Sequence, residues 1–160
     1  MEIRMATMDD LEAVTYVEAE CFPEAEAASR EAFAGRLSVF PNHFWLLLEG
    51  NEVIGFVNGL VTDAEDLSDE MYEKAGLHDE GGRWQMIFGL DVIPAYRRQG
   101  CAGLLLNRAI EDAKAQHRAG VVLTCKDRLV HYYARFGFVD EGISDSSHGG
   151  VIWHQMRLRF

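Results

Sequence analysis

The sequence predicts one mixed α/β domain, of the α+β kind in which helices and strands share a core. The chain has 160 residues, of which 48% are hydrophobic and three are proline, and this composition favours a packed core over a disordered chain. Short apolar runs with strand periodicity are interspersed with runs of helical periodicity. No repeat, low-complexity tract or linker divides the chain, so residues 1–160 form a single predicted domain.

The first half of the chain contains a predicted strand, two helices and a β-hairpin. Phe22-Pro23 ends the first helix, since proline cannot continue one. Gly50-Asn51 favours a tight turn between the two strands of the hairpin. In chain order, the strand, the two helices and the two hairpin strands cover residues 2–6, 7–21, 28–40, 44–49 and 53–62.

The second half begins near an acidic segment, residues 63–80, in which we expect a long ordered loop that carries one short helix. A strand over residues 84–92 follows. It has one wholly apolar face and contains Gly89, which marks a bulge or a close approach of another backbone or a ligand. A helix that ends near Gly120 comes next. The last four predicted elements are a strand, a helix and two strands over residues 121–124, 128–136, 138–141 and 151–158.

Charge is distributed unevenly along the chain. Fifteen Lys and Arg stand against 26 Asp and Glu, a net charge of −11, and this acidity argues against a nucleic-acid partner. Residues 1–82 hold 4 basic and 19 acidic side chains, whereas residues 83–160 hold 11 basic and 7 acidic ones. The acidic half is either a solvated face or the wall of a site for a cationic ligand.

Other classes of protein are disfavoured by what the sequence lacks. No apolar run is long enough to cross a membrane, and the first residues have no signal-peptide pattern, so we expect a cytoplasmic protein that does not bind a membrane. The three cysteines, Cys21, Cys101 and Cys125, lie far apart in the sequence, which favours a reducing compartment. The six histidines form no metal-binding motif, so we expect no metal site.

The turn over residues 97–103 is the clearest candidate for a binding site. It follows an apolar strand and opens a helix, whose first backbone N–H groups and positive dipole end favour an anion. Gly100 and Gly103 allow the backbone to approach a ligand closely, while Arg97 and Arg98 add donors suited to a pyrophosphate. The segment has neither the P-loop pattern nor the glycine pattern of dinucleotide-binding turns.

This strand and turn resemble motif A of the GNAT superfamily of N-acetyltransferases. The core of that motif is Arg/Gln-x-x-Gly-x-Gly/Ala, and Arg97, Gly100 and Ala102 occupy its three defined positions. The resemblance implies acetyl-CoA as cosubstrate and a mixed, mostly antiparallel central sheet of about six or seven strands flanked by about four helices. In the family the strand pairs with the pantetheine arm and the turn holds the pyrophosphate. The coenzyme-binding residues it implies are Leu90, Asp91, Val92, Arg97, Arg98, Gln99, Gly100, Cys101, Ala102 and Gly103.

A second motif lies about thirty residues further along. Tyr133 stands four residues before Gly137-Phe138, which resembles the family pattern Tyr-x-x-x-Gly-Phe. The resemblance makes Tyr133 the general acid: a phenol at the coenzyme A sulfur can protonate it as the thioester breaks. We interpret Tyr132 as a packing residue. The two motifs occur in the family's order and at its spacing.

The proton of the attacking amine has no assigned acceptor. A primary alkylamine with a pKa near ~10.4 is almost entirely protonated at neutral pH and cannot attack. The sequence around both motifs most closely resembles arylalkylamine N-acetyltransferases. In that group the strand before motif A carries two histidines, but Met86 and Phe88 stand at those positions here. Asp91 has the opposite strand parity from both. The base is therefore left open, with these side chains merely available: Glu20, His43, Asp63 and Glu65.

The expected acceptor follows from the charge distribution and the resemblance together. In GNAT folds the N-terminal helices and the segment between the third and fourth strands wall the acceptor site, and here those segments are acidic. Carboxylates attract an ammonium group, so we expect a small cationic amine, polyamine-like or arylalkyl. A peptide or protein N-acetyltransferase and a non-catalytic acyl-CoA-binding domain are the alternatives. Homodimerisation stays open.

Overall fold

Nine strands form two sheets in the computed structural model, which describes all 160 residues. The first sheet is antiparallel and has the order β1 (Glu2–Met5), β2 (Phe44–Glu49), β3 (Glu52–Asn58), β6 (Gly89–Val92). The second has the order β4 (Val61–Thr62), β5 (Trp84–Ile87), β7 (Gly120–Cys125), β9 (His154–Arg159), β8 (Val139–Ile143). Only β5 and β7 pair in parallel. The predicted mixed and mostly antiparallel architecture is confirmed.

Five α-helices surround the sheets. They are α1 (Leu11–Cys21), α2 (Arg30–Val39), α3 (Asp69–Glu73), α4 (Cys101–Ala115) and α5 (Val130–Ala134). Ser29 begins α2 as its N-cap and accepts a hydrogen bond from the Ala32 N–H at 3.1 Å. The short helix expected in the acidic segment is α3. None of the helices combines the length and the apolarity that a membrane span requires.

Two apolar layers pack helices against the sheets, and a third, smaller apolar cluster lies around Trp84 and Met86. Helix α4 contributes the central side chains of the larger layer, where it packs on β2, β3, β6 and β7. Helices α1 and α2 cover the opposite face of the first sheet with Val14, Val17, Phe33 and Leu37, which contact Phe44 and Phe56. These residues are almost completely buried, and burying a side chain of this size contributes about 1.5–3 kcal/mol. The packing fixes α1, α2 and α4 around β6.

The predicted strand over residues 84–92 is divided at Phe88, which corrects the expectation of one continuous strand. Its first part, β5, pairs in the second sheet, and its second part, β6, pairs in the first. The partner strand is interrupted opposite the same point, at Gly59, where an added Cβ would lie 1.7 Å from the Met86 carbonyl oxygen. The close approach of these two backbones requires glycine, and the register shifts by one residue across it.

This division changes which face each side chain occupies. Met86 and Phe88 belong to one apolar cluster, whereas Leu90 and Val92 pack in the larger layer beside α4. The expectation of a single apolar face, with Asp91 on the opposite side from Phe88, is therefore wrong. Asp91 lies within electrostatic range of Arg36, and the Arg36 guanidinium packs on the Phe88 ring at 4.7 Å.

Several predicted ends shift because the terminal turns take other conformations. Helix α4 ends at Ala115 rather than near Gly120, and the predicted helix over residues 128–136 contains only five α-helical residues. The two final strands cover Val139–Ile143 and His154–Arg159. A turn that contains Gly149 and Gly150, both with positive φ, delays the last strand.

Candidate functional site

Two adjoining cavities open where the sheets separate. Strand β6 pairs only with β3, and β7 pairs only with β5 and β9, so no ladder joins β6 to β7. We call the two spaces the inner cavity, of about 450 Å³, and the outer cavity, of about 560 Å³. The residues that line both are Cys21, Phe22, Leu90, Arg128, Leu129 and Tyr133. The cavities therefore meet beside the free edge of β6.

The outer cavity lies against the turn that begins α4. Gly100 is the N-cap of this 15-residue helix and has φ +83°, a left-handed conformation that glycine adopts without strain. No atom lies within 4 Å of the position of a Cβ at Gly100, so the backbone is open to a ligand. Arg98 also has positive φ, at +62°. The turn thus presents the N–H groups of a helix start and adjacent guanidinium groups to the cavity.

Eight of the ten predicted coenzyme-binding residues line the outer cavity. They are Leu90, Val92, Arg97, Arg98, Gly100, Cys101, Ala102 and Gly103. Gln99 lines neither cavity and packs its amide near the Ala95 carbonyl. Arg97 donates through Nε to the Val92 carbonyl oxygen at 2.9 Å, which ties the turn to the end of β6.

Tyr133 lies at the junction of the two cavities. Helix α5 holds it, and its ring makes edge contacts with Tyr132 and Phe138 at centroid distances of 5.3 and 6.1 Å. Burial, together with the neighbouring Cys125 and Tyr132, raises the pKa of Tyr133. The phenol therefore keeps its proton at neutral pH. Gly137, at φ +97°, makes the turn that carries the chain from α5 towards β8.

The carboxyl group of Asp91 is buried behind the inner cavity. Its side chain lines neither cavity, and the residue is 1% exposed. Burial and the adjacent Glu18 raise the pKa of Asp91 well above its usual range. Neither oxygen of Asp91 accepts a hydrogen bond from any donor, so its contact with Glu18 is a hydrogen bond only when one carboxyl group holds a proton. Glu18 itself lines the inner cavity and accepts from the Ala28 N–H at 2.8 Å.

Three stacked rings form one wall of the inner cavity. Tyr72 lies between Phe88 and His148, with ring centroids at 4.7 and 5.6 Å, and its ring is nearly parallel to the imidazole, at 8°. The Tyr72 hydroxyl lies 3.3 Å from Thr124 Oγ1 on β7. Burial raises the pKa of Tyr72, so this phenol is also neutral. The stack joins the acidic segment to the turn before the last strand.

His148 is held in one orientation by hydrogen bonds. Its Nε2 lies 2.7 Å from the Glu26 carbonyl oxygen, which can only accept, so Nε2 carries a hydrogen. The Trp153 indole donates to the His148 carbonyl oxygen at 2.9 Å. The next residue, Gly149, packs so closely on Glu26 that an added Cβ would lie 2.7 Å from Glu26 Cγ. The turn that carries His148 is therefore docked on the loop that follows α1.

The inner cavity contains charges of both signs. Glu26 forms an ion pair with Lys126 at 2.7 Å. Arg36, which is 3% exposed, donates to Asn58 Oδ1 and to the Tyr72 carbonyl oxygen, both at 3.1 Å. Burial lowers the pKa of Arg36, and the nearby Glu18 opposes this effect. The full charged set is Glu18, Glu26, Glu73, Arg36, Lys126 and Arg128.

The acidic segment contributes less to this cavity than the charge pattern indicates. Of the eight carboxylates between residues 63 and 80, only Glu73 lines the inner cavity. Asp66 and Glu80 form ion pairs with Arg157 and Arg118, which come from the basic half of the chain. These two carboxylates therefore hold the two halves of the chain together rather than face the inner cavity.

None of the side chains left open as a base reaches the cavities. Glu20, His43, Asp63 and Glu65 line neither of them. Of the two positions at which the resemblance to arylalkylamine N-acetyltransferases implies histidines, Met86 is fully buried in the core, and only Phe88 lines the inner cavity.

A separate cluster brings together His43, His78 and Glu80. The Nε2 atoms of both histidines lie 2.9 Å from Glu80 Oε1. The three ligand-type atoms lie within 4.8 Å of one another, although no sequence motif indicates this grouping. His78 Nδ1 accepts a hydrogen bond from the Val61 N–H at 3.0 Å, so His78 donates to Glu80 through Nε2. The cluster is a hydrogen-bonded network that attaches residues 78–80 to β4 and β5 through Val61 and Gln85.

The arrangement can hold an elongated anionic cofactor with its reactive end at Tyr133. The outer cavity supplies the anion-binding turn, the free edge of β6 supplies unpaired backbone groups, and the inner cavity supplies space for a second reactant. Sequence reasoning missed Glu18, Arg36 and His148 as cavity residues. All three lie outside both motifs, and only the tertiary structure brings them to the cavity.

Comparisons with known proteins agree with this geometry. Residues 6–138 match the family model described as Acetyltransferase (GNAT) family. The chain is 33% identical over 143 aligned positions to the serotonin N-acetyltransferase of Macaca mulatta, covering 76% of this chain and 68% of that protein. The structure of the GphF GNAT-like decarboxylase in complex with isobutyryl-CoA has a TM-score of 0.85 at 24% identity, over 99% of both chains. The ribosomal-protein-S18-alanine N-acetyltransferase from Escherichia coli has a TM-score of 0.72 at 18% identity, over 99% of this chain and 92% of that one.

Proposed function

Because this chain belongs to the GNAT family of acetyl-CoA-dependent N-acetyltransferases, we propose that it moves an acetyl group from acetyl-CoA to the primary amine of a small cationic acceptor. The coenzyme occupies the outer cavity, with its pyrophosphate on residues 97–103 and its pantetheine arm along β6. The acceptor enters the inner cavity. The amine attacks the thioester directly, and Tyr133 acts as general acid.

The observation that carries this proposal is the position of Tyr133 between the two cavities. A coenzyme bound at the start of α4 and extended along β6 brings its sulfur to the shared wall, where Leu90 and Tyr133 lie. The Tyr133 phenol has a raised pKa, so it holds a proton to give. The departing thiolate takes that proton, because a partly buried site disfavours the charged sulfur and raises the pKa of the thiol above its usual value near ~8.5.

The acceptor class follows from the lining of the inner cavity. Glu18 and Glu73 supply negative charge for an ammonium group, and Phe88 and Tyr72 supply an apolar wall. The relatives named serotonin N-acetyltransferase support a small-molecule amine as the acceptor. The fold neighbour that acetylates a ribosomal protein makes peptide N-termini the second acceptor class to test.

A released-thiol screen tests the proposal. Purified protein and acetyl-CoA are incubated with polyamines, arylalkylamines, aminoglycosides, amino acids and peptides with free N-termini, and coenzyme A is measured. We expect release with a small amine that exceeds release with peptides. Release with peptides alone would reassign the acceptor, and acetyl-CoA binding without release from any member of the panel would overturn the enzyme assignment.

A further inference from the structure

We propose that His148 is the general base that removes the proton of the attacking amine. This role rests on the proposed acetyl transfer. It supplies a proton acceptor, which neither the Met86 nor the Phe88 side chain can provide. His148 lies on the wall of the inner cavity, in which the acceptor amine binds, and Tyr133 lines the same cavity.

The hydrogen bonds of His148 give the imidazole the form that a base requires. Since Nε2 donates to the Glu26 carbonyl oxygen at 2.7 Å, the lone pair of the neutral ring is on Nδ1. Nδ1 makes no hydrogen bond within the protein. A ring held by a backbone carbonyl at one nitrogen and without a hydrogen-bond partner in the protein at the other is the arrangement in which imidazoles accept protons in enzymes.

The ring also has a defined place relative to the missing histidines. Phe88 stacks on Tyr72, and Tyr72 stacks on His148. The imidazole is thus displaced from the Phe88 position by one intervening aromatic ring, along the same cavity wall. The loop before β9 therefore places an imidazole on the same aromatic wall as Phe88.

The charged groups around this wall are compatible with the role. The Glu26 carboxylate is paired with Lys126, and Asp69 binds the Ser147 N–H in the turn just before His148. Tyr72 and Trp153, which contact the ring, are uncharged. The other charged groups of the inner cavity are Glu18, Glu73, Arg36 and Arg128. Glu18 is the main rival as base, but its carboxylate faces the Asp91 carboxyl and the Ala28 N–H.

The reaction balances with these two residues. The amine nitrogen forms a bond to the acetyl carbon, and the carbon–sulfur bond breaks. Before this attack, an acceptor that arrives as an ammonium group gives one proton to His148 Nδ1, directly or through one water. During the attack the nitrogen loses its second proton to solvent, while the Tyr133 hydroxyl proton passes to sulfur. The products are the amide and the coenzyme A thiol, and the imidazolium and phenolate return to their starting forms by proton exchange with solvent.

The main test compares two acceptors of similar shape and different basicity, 2-phenylethylamine and 2,2-difluoro-2-phenylethylamine. Spermidine serves as a further basic acceptor, of the polyamine class. His148→Gln keeps a donor for the Glu26 carbonyl oxygen but removes the basic nitrogen. We expect kcat/KM at neutral pH to fall about 100-fold for the more basic amine, as for loss of a general base, and clearly less for the difluoro amine, which arrives largely neutral. Equal loss for both amines would mean a structural role and would overturn the proposal, as would unchanged kcat/KM.

Controls separate this proposal from the proposed function. His131→Gln changes an exposed histidine of α5 that lines neither cavity, and its rates should match the unmodified enzyme. Glu18→Gln should leave the dependence on amine basicity in place; if Glu18→Gln abolishes that dependence while His148→Gln does not, Glu18 is the base and the proposal is wrong. Absence of thiol release by the unmodified enzyme with every amine would refute both proposals. If the unmodified enzyme releases thiol but His148→Gln does not show the expected difference between the two amines, only the role of His148 is refuted.

A measurement on the unmodified enzyme covers the case in which the variants do not fold. The acid limb of the kcat/KM profile is recorded with both phenylethylamines. A limb at the same pH for both amines supports a base that belongs to the enzyme. A limb that moves with the basicity of the amine means that the proton leaves before binding, which contradicts a role for His148. Imidazole added to His148→Ala should restore part of the rate.

Discussion

Asp91 on β6 presents its buried carboxyl group to Glu18 on α1, and a proton held between the two carboxyl groups is the only donor available to the Asp91 oxygens. The Asp91 oxygens receive no hydrogen bond from any protein donor, and the residue is 1% exposed. Burial and the charge of Glu18 raise the pKa of Asp91. Unfolding returns this carboxyl group to water, where it ionises normally, so folding and proton binding are linked.

The first prediction concerns stability against pH at Asp91. Because the folded state holds a proton that the unfolded state releases, its contribution is full below the ordinary pKa of 3.8 and is lost as pH rises towards the raised value. Asp91→Asn keeps a donor for Glu18 and removes this loss, so the variant should gain stability over the unmodified protein by up to about 1.4 kcal/mol per pH unit across that window. Urea unfolding at pH 5, 6, 7 and 8 measures the difference.

A matched control uses a carboxylate in a different environment. Glu24→Gln alters an exposed side chain in the turn after α1 and should leave the slope of stability against pH unchanged. If Asp91→Asn shifts the free energy of unfolding equally at every pH, Asp91 is ionised in the folded state and its pairing with Glu18 is not a shared proton.

A second prediction tests Tyr133 as general acid. Tyr133→Phe removes one hydroxyl from the junction of the cavities and should lower kcat about 100-fold or more, while acetyl-CoA binding by calorimetry stays close to that of the unmodified protein. Tyr132→Phe is the matched control, since Tyr132 lines only the outer cavity and packs on Tyr133 and Phe136. If Tyr133→Phe and Tyr132→Phe lose kcat equally, the loss does not come from a general acid at Tyr133, and the prediction is wrong.

A third prediction tests the anion-binding turn. Arg98→Glu places a carboxylate beside the open backbone at Gly100 and should weaken coenzyme A binding about 10- to 100-fold, since charge-assisted hydrogen bonds contribute about 1.5–3 kcal/mol. The loss should shrink at high salt. Arg83→Glu makes the same charge change at an exposed residue that lines neither cavity, and its dissociation constant should stay near that of the unmodified protein. Unchanged affinity in Arg98→Glu would refute the assignment of the turn.

The sequence was sufficient for the features that depend on local patterns. The turn at residues 97–103 needs glycine at a left-handed position, and the Tyr133 segment needs a glycine turn after the aromatic residue. The structure has the turn at the start of α4 and Tyr133 in α5, the local structures that the sequence predicts, while the roles of these residues stay predictions. The mixed α/β class follows from the periodicity of the apolar residues, whereas the mostly antiparallel sheet is expected from the resemblance of the two motifs to the GNAT superfamily. The division of the strand at Phe88 depends instead on how closely Gly59 approaches Met86, which is a contact between distant residues.

The composition of the inner cavity could not be predicted for the same reason. Tyr72 and His148 are 76 positions apart in the sequence, and they stack only because α3 and the turn before β9 meet through Asp69 and Ser147. The acidic segment also gave a misleading signal, since net charge along a sequence does not indicate which carboxylates are neutralised by distant arginines. Asp66 and Arg157 are an example, at 3.0 Å.

The fourth prediction concerns Glu80 and acid stability. Partial burial raises the pKa of Glu80, but hydrogen bonds from His78 and His43 outweigh it and lower the pKa to about 2. Arg118 adds an ion pair at 3.1 Å. For a carboxyl group with a lowered pKa, the stabilisation is present above the ordinary value of 4.5 and is lost as pH falls through about 2.

Glu80→Gln should therefore destabilise the protein at pH 7 and have less effect as the pH approaches 3. The Glu80 side chain is 56% exposed, so solvent screening reduces the expected loss to about 1 kcal/mol. Thermal unfolding followed by circular dichroism between pH 3 and pH 8 measures it. Glu70→Gln, which breaks an exposed pair with Lys74, should change the melting temperature less at pH 7. If Glu80→Gln lowers the melting temperature equally at pH 3 and pH 7, the charge of the carboxylate does not stabilise the histidine cluster. The amide would then destabilise the protein relative to both the protonated and the ionised carboxyl group.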